Sequence, residues 1–277
     1  MSQRADILLA NALPEYSRSA LAKLFDMNCI KNADKILKPG DKIALGDIFE
    51  ADITELKKPA ELLELPVIYE DDSVIVIDKP AGIISHARGR YWDEPSVASF
   101  IRNRVKFNDA NERAGIVHRL DRATSGVMIC AKNSDALKYL QKQFGDRKVT
   151  KKYISIISGT IEPHRAIIDL PIGRNIKKPQ TMMVIEGGKS ATTEYRSIGE
   201  SSKYTMLELL PKTGRTHQLR VHLKYINKPI LGDILYGGEI AERLFLHASS
   251  LEIRLPGSGE LQKFVSELPK AFKEKMF

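Results

Sequence analysis

Gly115-Ile116-Val117-His118-Arg119-Leu120-Asp121-Arg122-Ala123-Thr124-Ser125-Gly126-Val127-Met128 is two apolar runs joined by a polar turn. The runs predict strands at 116–117 and 126–131, so the turn places one aspartate on a loop beside a rigid sheet, where functional side chains tend to sit. Arg119 and Arg122 flank Asp121. Two guanidiniums beside a carboxylate keep it ionised and attract phosphate. An ionised carboxylate serves as a nucleophile or a base. The alternative is a structural Asp–Arg pair that only holds the turn.

Outward from this segment the pattern stays rich in strands. Val67-Ile68-Tyr69 and Val74-Ile75-Val76-Ile77 are apolar runs split by the acidic turn Glu70-Asp71-Asp72. Further strands are predicted at 153–157, 193–197, 204–210 and 244–246. Helices are predicted at 134–144, capped by Ser134, and at 216–225, ended near Asn227 and Pro229. Many strands with few helices between them imply an α+β fold, with a mixed, mainly antiparallel β-sheet and flanking helices, rather than a doubly wound one.

The first 60 residues read as a separate unit: a helix from Arg4 to Ala12, a second helix over 18–26 capped by Ser17, then short strands around the turn Pro39-Gly40-Asp41. Residues 54–65, with Lys57-Lys58-Pro59, read as a linker, leaving 66–277 as the second and larger domain. The chain carries 43 Lys/Arg against 35 Asp/Glu, a net charge of +8. Nine of each sign fall in the first 60 residues, so the whole excess lies beyond them. A basic surface there suits a polyanion.

Two isolated cysteines, Cys29 and Cys130, form neither a disulfide framework nor a zinc site. His217 and His222 are five apart and do not share a helix face as a zinc pair would. No glycine-rich phosphate loop is present; Gly82, Gly214 and Gly232 are read as turn residues. No metal and no cofactor are expected. No apolar run is long enough to span a bilayer, and the first residues lack a signal-peptide core, so a cytoplasmic protein with no membrane contact is expected.

His118-Arg119-Leu120-Asp121 followed by Thr124-Ser125-Gly126 resembles the signature of RluA-like RNA pseudouridine synthases. Three further segments agree in order: Asp78-Lys79-Pro80-Ala81-Gly82, Lys151-Lys152-Tyr153, and Thr213-Gly214-Arg215-Thr216-His217-Gln218-Leu219-Arg220-Val221-His222, the last continued by Pro229-Ile230-Leu231-Gly232-Asp233 and Tyr236-Gly237. The resemblance implies that Asp121 is the catalytic carboxylate, that Tyr153 packs on the target base, and that Arg215 pairs with Asp121. It implies that Arg119 holds the place of the flipped nucleotide. His118, Arg122, Lys79, Lys151 and His217 are further candidates for contact with substrate or RNA. Ile83, Leu219 and Val221 are candidates for an apolar wall that excludes water.

Tyr16-Ser17-Arg18-Ser19, the 34–41 segment and Gly46-Asp47 resemble the α-L RNA-binding module shared with a small-subunit ribosomal protein. On that resemblance Arg18, Lys23, Lys31 and Lys35 are the candidate RNA contacts. The partner implied is a large structured RNA, ribosomal RNA ahead of transfer RNA, and a monomer is expected. Two other classes compete. A non-catalytic RNA-binding or ribosome-assembly protein would not need Asp121, Tyr153 and Arg215 intact. A hydrolase using Asp121 with His118 or His217 would be expected to carry a nucleophile elbow or an acidic metal cluster, and neither is in the sequence.

Overall fold

The computed structural model describes residues 2–16, 18–44, 46–57, 63–86, 94–102, 104–105 and 115–276. Ser17, the expected cap, and Lys58-Pro59 of the expected linker lie outside them.

The N-terminal elements are β1 (Ser2–Arg4), α1 (Ala5–Ala12), α2 (Arg18–Asp26), β2 (Ile30–Asn32), β3 (Lys35–Ile36), β4 (Lys42–Ala44), β5 (Glu50–Ala51) and α3 (Thr54–Lys57). Arg4 thus ends a strand paired with β4 instead of opening the helix. Residues 54–57, expected in a linker, form a helical turn because Leu56 has a core to enter: it is buried with Leu9, Leu21, Leu24, Phe25, Ile30 and Ile43.

The larger part contains β6 (Val67–Glu70), β7 (Val74–Lys79), α4 (Val97–Arg102), β8 (Ser125–Ala131), α5 (Ser134–Gly145), β9 (Thr150–Ser158), β10 (Arg165–Asp169), β11 (Ile172–Arg174), β12 (Met182–Val184), β13 (Thr192–Glu200), β14 (Tyr204–Pro211), α6 (Gln218–Tyr225), β15 (Leu246–Arg254), β16 (Leu261–Val265) and α7 (Lys270–Met276). Nine strands form one sheet in the order β10-β13-β14-β9-β15-β8-β7-β6, with β16 beside β15. Every pairing is antiparallel except the short β15–β8 contact at His247–Ser125 and Ala248–Gly126. The mainly antiparallel α+β architecture expected from the strand-rich pattern is the one found.

Strand alternation separates the two faces. Ile75 and Ile77 of β7 pack with Met128, Cys130 and α4, while Val74 and Val76 pack with Val127, Ile129 and α5. Burial on both sides explains why β8 is an unbroken apolar run. A third cluster joins Ile154, Ile156, Leu207 and Leu209 to Leu219 and Leu223 of α6 and Phe272 of α7.

Several expected boundaries shift. Ile116 forms a single bridge to Cys130 rather than a strand, because the chain turns away at once toward Asp121. Asn133, not Ser134, caps α5: its side chain accepts from Ala136 N at 2.9 Å. Helix α6, expected from residue 216, starts at Gln218 because His217 sits in the left-handed region at φ 55°.

Candidate active site

The 115–128 segment folds into a tight turn that lines a cleft. Thr124 N donates to Asp121 O at 3.0 Å, closing a four-residue turn with Arg122 and Ala123 at its corners. The 80–85 loop holds this turn. Ser85 Oγ donates to Leu120 O and accepts from Leu120 N, and Gly82 N donates to Arg122 O. On leaving the turn, the chain passes Ala248 of β15 so closely that a Cβ on Gly126 would lie 2.2 Å from Ala248 O. Gly126 also has φ 115°, so both space and backbone require glycine there.

The cleft has a volume of about 540 Å³. Asp121, Arg119, Lys151, Tyr153, Arg215 and Arg220 line it, with apolar wall from Leu120, Leu219 and Leu246. Of the three residues expected in that wall, Leu219 is there. Val221 faces the other way, into a cluster with Ile172 and Tyr236, and Ile83 packs under the turn.

Asp121 keeps a side-chain exposure of 17%. Its Oδ2 accepts from Arg220 Nη1 at 3.3 Å and lies 3.8 Å from His217 Nε2. The partner of Asp121 is therefore Arg220, which corrects the expectation of Arg215. Arg215 precedes α6, and its Nε donates to Ser190 O. Arg220 lies inside α6, three residues after His217, on the same face as the carboxylate. Gln218 fixes the phase of this helix: buried, it accepts from Arg215 N and Thr213 Oγ1 and donates to Thr192 O and Thr193 Oγ1.

His217 Nδ1 lies 2.8 Å from the Tyr236 hydroxyl, which also accepts from Met182 N, and the ring's other nitrogen, Nε2, faces Asp121. Burial pushes the His217 pKa down, against the upward pull of Asp121. Burial thus favours the neutral imidazole beside the carboxylate.

Tyr153 sits mid-sheet on β9, opposite Leu209 and Ala248. Among the described residues its hydroxyl has no hydrogen-bond partner. Burial, with the Asp121 charge added, pushes its pKa above the usual tyrosine range. The hydroxyl stays protonated, and Tyr153 lines the cleft. Lys151, two residues earlier on the same face, donates to Thr213 O at 3.1 Å, and burial lowers its pKa to about 8.

Three candidates for RNA contact are engaged by groups of the protein itself, Lys79 in the interior, His118 half-buried and Arg122 at the surface. His118 Nε2 accepts from Ile129 N at 3.1 Å and the ring stacks on Phe144, centroids 4.7 Å apart. Burial lowers its pKa to about 3, so it is a neutral structural acceptor. Lys79 is fully buried, and its ammonium donates to Pro80 O and Ile83 O at 2.9 and 2.8 Å and reaches Arg122 O at 3.4 Å. Burial pushes its pKa to about 8, the Asp121 charge pulling the other way. Arg122 pairs with Glu94 through both guanidinium nitrogens. Arg119 is exposed at the cleft and remains available to a phosphate.

In the N-terminal part Arg18 and Lys31 are exposed, and Lys35 lies 3.5 Å from Asp41. Lys31 pairs with Ile36 and Asn32 with Lys35, so Lys31 and Lys35 point to opposite faces of their hairpin. Lys23 is half-buried on α2. Among the described residues no three His, Cys, Asp or Glu side chains converge as a metal site, and no helix is long and apolar enough to cross a membrane.

Comparison with known proteins places this geometry in a family. Residues 73–225 match the RNA pseudouridylate synthase family. Ribosomal large subunit pseudouridine synthase D of Borreliella burgdorferi is 39% identical over 97% of this chain and 87% of its own length. The enzyme of the same name from Haemophilus influenzae is 35% identical over 99% of this chain and 90% of its own. Among solved structures, human RNA pseudouridylate synthase domain containing 4 superposes with a TM-score of 0.61 at 26% identity, covering 75% of this chain and 90% of that one. The chain belongs to the RNA pseudouridylate synthase family and is a pseudouridine synthase, an isomerase acting on structured RNA.

Sequence reasoning placed Arg220, Asp233 and Tyr236 in the last motif but gave none of them a role in the site. The available signal was a charged residue between Leu219 and Val221 in an apolar helix. A buried arginine demands a carboxylate, and Asp233 is the next one along the chain.

Proposed function

We propose that this enzyme isomerises uridines of ribosomal RNA, with Asp121 as the catalytic carboxylate. The observation that carries the reading is Asp121 itself: an anion at the wall of an otherwise cationic cleft, held by Arg220 on one oxygen only, with His217 Nε2 3.8 Å from that same oxygen. Among the described residues its Oδ1 makes no hydrogen bond. The names of the relatives from Borreliella and Haemophilus support ribosomal RNA over transfer RNA.

The reaction breaks the bond between ribose and uracil nitrogen, turns the base, and joins ribose to ring carbon 5. The carbon proton leaves and the nitrogen gains one, so no atoms are added overall. To reach Asp121 the uridine leaves its stack, at a cost of a few kcal/mol that is least in loops. The Tyr153 ring replaces the lost stacking and keeps the freed base from drifting. Asp121 acts as nucleophile, or as the base that removes a ribose proton. Arg119 supplies a cation for the displaced backbone. Leu120, Leu219 and Leu246 limit water at the carboxylate.

The N-terminal part acts as the α-L-type RNA-binding domain, with exposed Arg18 and Lys31 as its phosphate contacts, on a monomeric cytoplasmic enzyme. The test is to map pseudouridine across ribosomal and transfer RNA from cells with and without the gene. Loss at defined uridines of ribosomal RNA is expected. Loss confined to transfer RNA contradicts the substrate assignment.

A further inference from the structure

Arg220 makes its strongest contacts not with Asp121 but with Asp233. Nε and Nη2 donate to the two oxygens of Asp233 at 2.8 Å each, the paired geometry in which guanidinium and carboxylate planes align. Nη1 is left for Asp121, at 3.3 Å. The Asp233 side chain is 1% exposed and Arg220 9%, so solvent competes with neither.

Local structure shows that this carboxylate is committed to Arg220. Asp233 precedes a short 3-10 turn at Ile234–Tyr236, a place where an aspartate ordinarily caps the backbone. Its side chain makes no capping bond, and both oxygens face the guanidinium. The backbone is clamped from both sides. Gly232 has φ 79°, and a Cβ there would lie 1.7 Å from Arg243 O; Gly238 N and Tyr236 N both donate to Asp233 O. The Tyr236 ring lies 5.0 Å from the Arg220 guanidinium carbon and closes its remaining side.

The consequence concerns Asp121. A free arginine beside a carboxylate takes both oxygens in a two-pronged bond. Here one pair of guanidinium donors is already occupied, the guanidinium plane is fixed, and Asp121 receives a single bond on Oδ2. Oδ1 is left to face the cleft.

We propose that Asp233 is a positioning residue that keeps Arg220 from forking onto Asp121, so that Asp121 retains its counter-ion while one oxygen stays free for the reaction. This rests on the reading of Asp121 as the catalytic carboxylate. In Asp233→Asn the guanidinium loses its two-oxygen acceptor, meets an amide donor instead, and turns its fork to Asp121, occupying both oxygens.

The test uses the full-length protein and transcribed ribosomal RNA carrying tritium at uridine carbon 5, in single-turnover reactions with enzyme in excess, at a temperature where circular dichroism shows each variant folded. Asp233→Asn is expected to lower the rate at saturating enzyme at least tenfold while the RNA dissociation constant stays within twofold. Asp233→Glu, which restores a two-oxygen acceptor, is expected to react faster than Asp233→Asn. Arg220→Gln/Asp233→Asn is expected to be no slower than Arg220→Gln alone, because Asp233 acts only through Arg220.

Wild-type rate in folded Asp233→Asn, or a double variant slower than Arg220→Gln, overturns the proposal. Should Asp233→Asn not fold, the double variant decides: it removes both buried charges together, and a rate below that of folded Arg220→Gln overturns the proposal. Asp121→Asn is run beside them. If it retains activity, the reading of Asp121 fails; if it is inactive while Asp233→Asn keeps full rate, only the role of Asp233 fails.

Discussion

Replacing His118 by Gln tests whether this residue of the motif serves the fold or the RNA. The imidazole accepts from Ile129 N and stacks on Phe144, and burial, reinforced by the Lys151 charge, holds its pKa at about 3. In the unfolded chain the same ring titrates near 6.5. Below that value the unfolded state gains a proton that the folded state refuses. The stability His118 supports is therefore fully present above pH 6.5 and is lost as pH falls toward about 3. Each pH unit in that window costs about 1.4 kcal/mol, so going from pH 7 to pH 5 removes about 2 kcal/mol through this one residue. Gln keeps an acceptor for Ile129 N and cannot titrate. Urea unfolding of both proteins at the two pH values isolates the effect. His217, His222 and His247 are also pushed down by burial, but they contribute equally to both proteins and cancel in the difference. Wild type is expected to lose about 2 kcal/mol more than the variant, roughly 4–8 °C in melting temperature for a chain of this size. Equal pH dependence in the two proteins refutes the reasoning. So does a variant that loses RNA affinity more than tenfold with its pH dependence unchanged.

Tyr153→Ala is expected to slow the reaction more than Tyr153→Phe in single-turnover assays, by the ~1–3 kcal/mol that stacking on one base supplies; equal loss in both would assign the hydroxyl, not the ring. Gly126→Ala places a methyl 2.2 Å from Ala248 O at a positive φ, so urea unfolding should show a loss of at least about 2 kcal/mol, and an unchanged midpoint would mean the β8–β15 contact is looser than described. Arg18→Ala and Lys31→Ala should each reduce the slope of log affinity against log salt by about 0.7–0.9 on structured RNA, and unchanged slopes would remove the N-terminal part from the interface.

The sheet was legible where apolar residues run long or alternate, as in β7, β8, β9 and β14. It was not legible at β10, β11, β12 and β16, which are short or lie at edges where half the residues meet solvent and alternation fades. At the site, the sequence separates Asp121 from its surroundings because it belongs to a long motif, and Tyr153 because its short motif falls in order between two longer ones. It does not separate Arg215 from Arg220. Both follow the same glycine, and which one reaches Asp121 depends on where α6 begins, set by His217 in a left-handed conformation and Gln218 bonded to four groups. Nor does it show that Lys79 and His118 point inward. A polar residue in a polar turn looks like a surface residue until the carbonyls around Lys79 and the Ile129 N–H are known.

The most direct test of the account is tritium release from uridine-labelled ribosomal RNA by wild type and Asp121→Asn, with binding of the same RNA measured in parallel. The substitution keeps the size of the side chain and removes the charge that a nucleophile or base requires. The account predicts no detectable release by the variant and RNA affinity within a few-fold of wild type. Release by Asp121→Asn at a rate near wild type contradicts it.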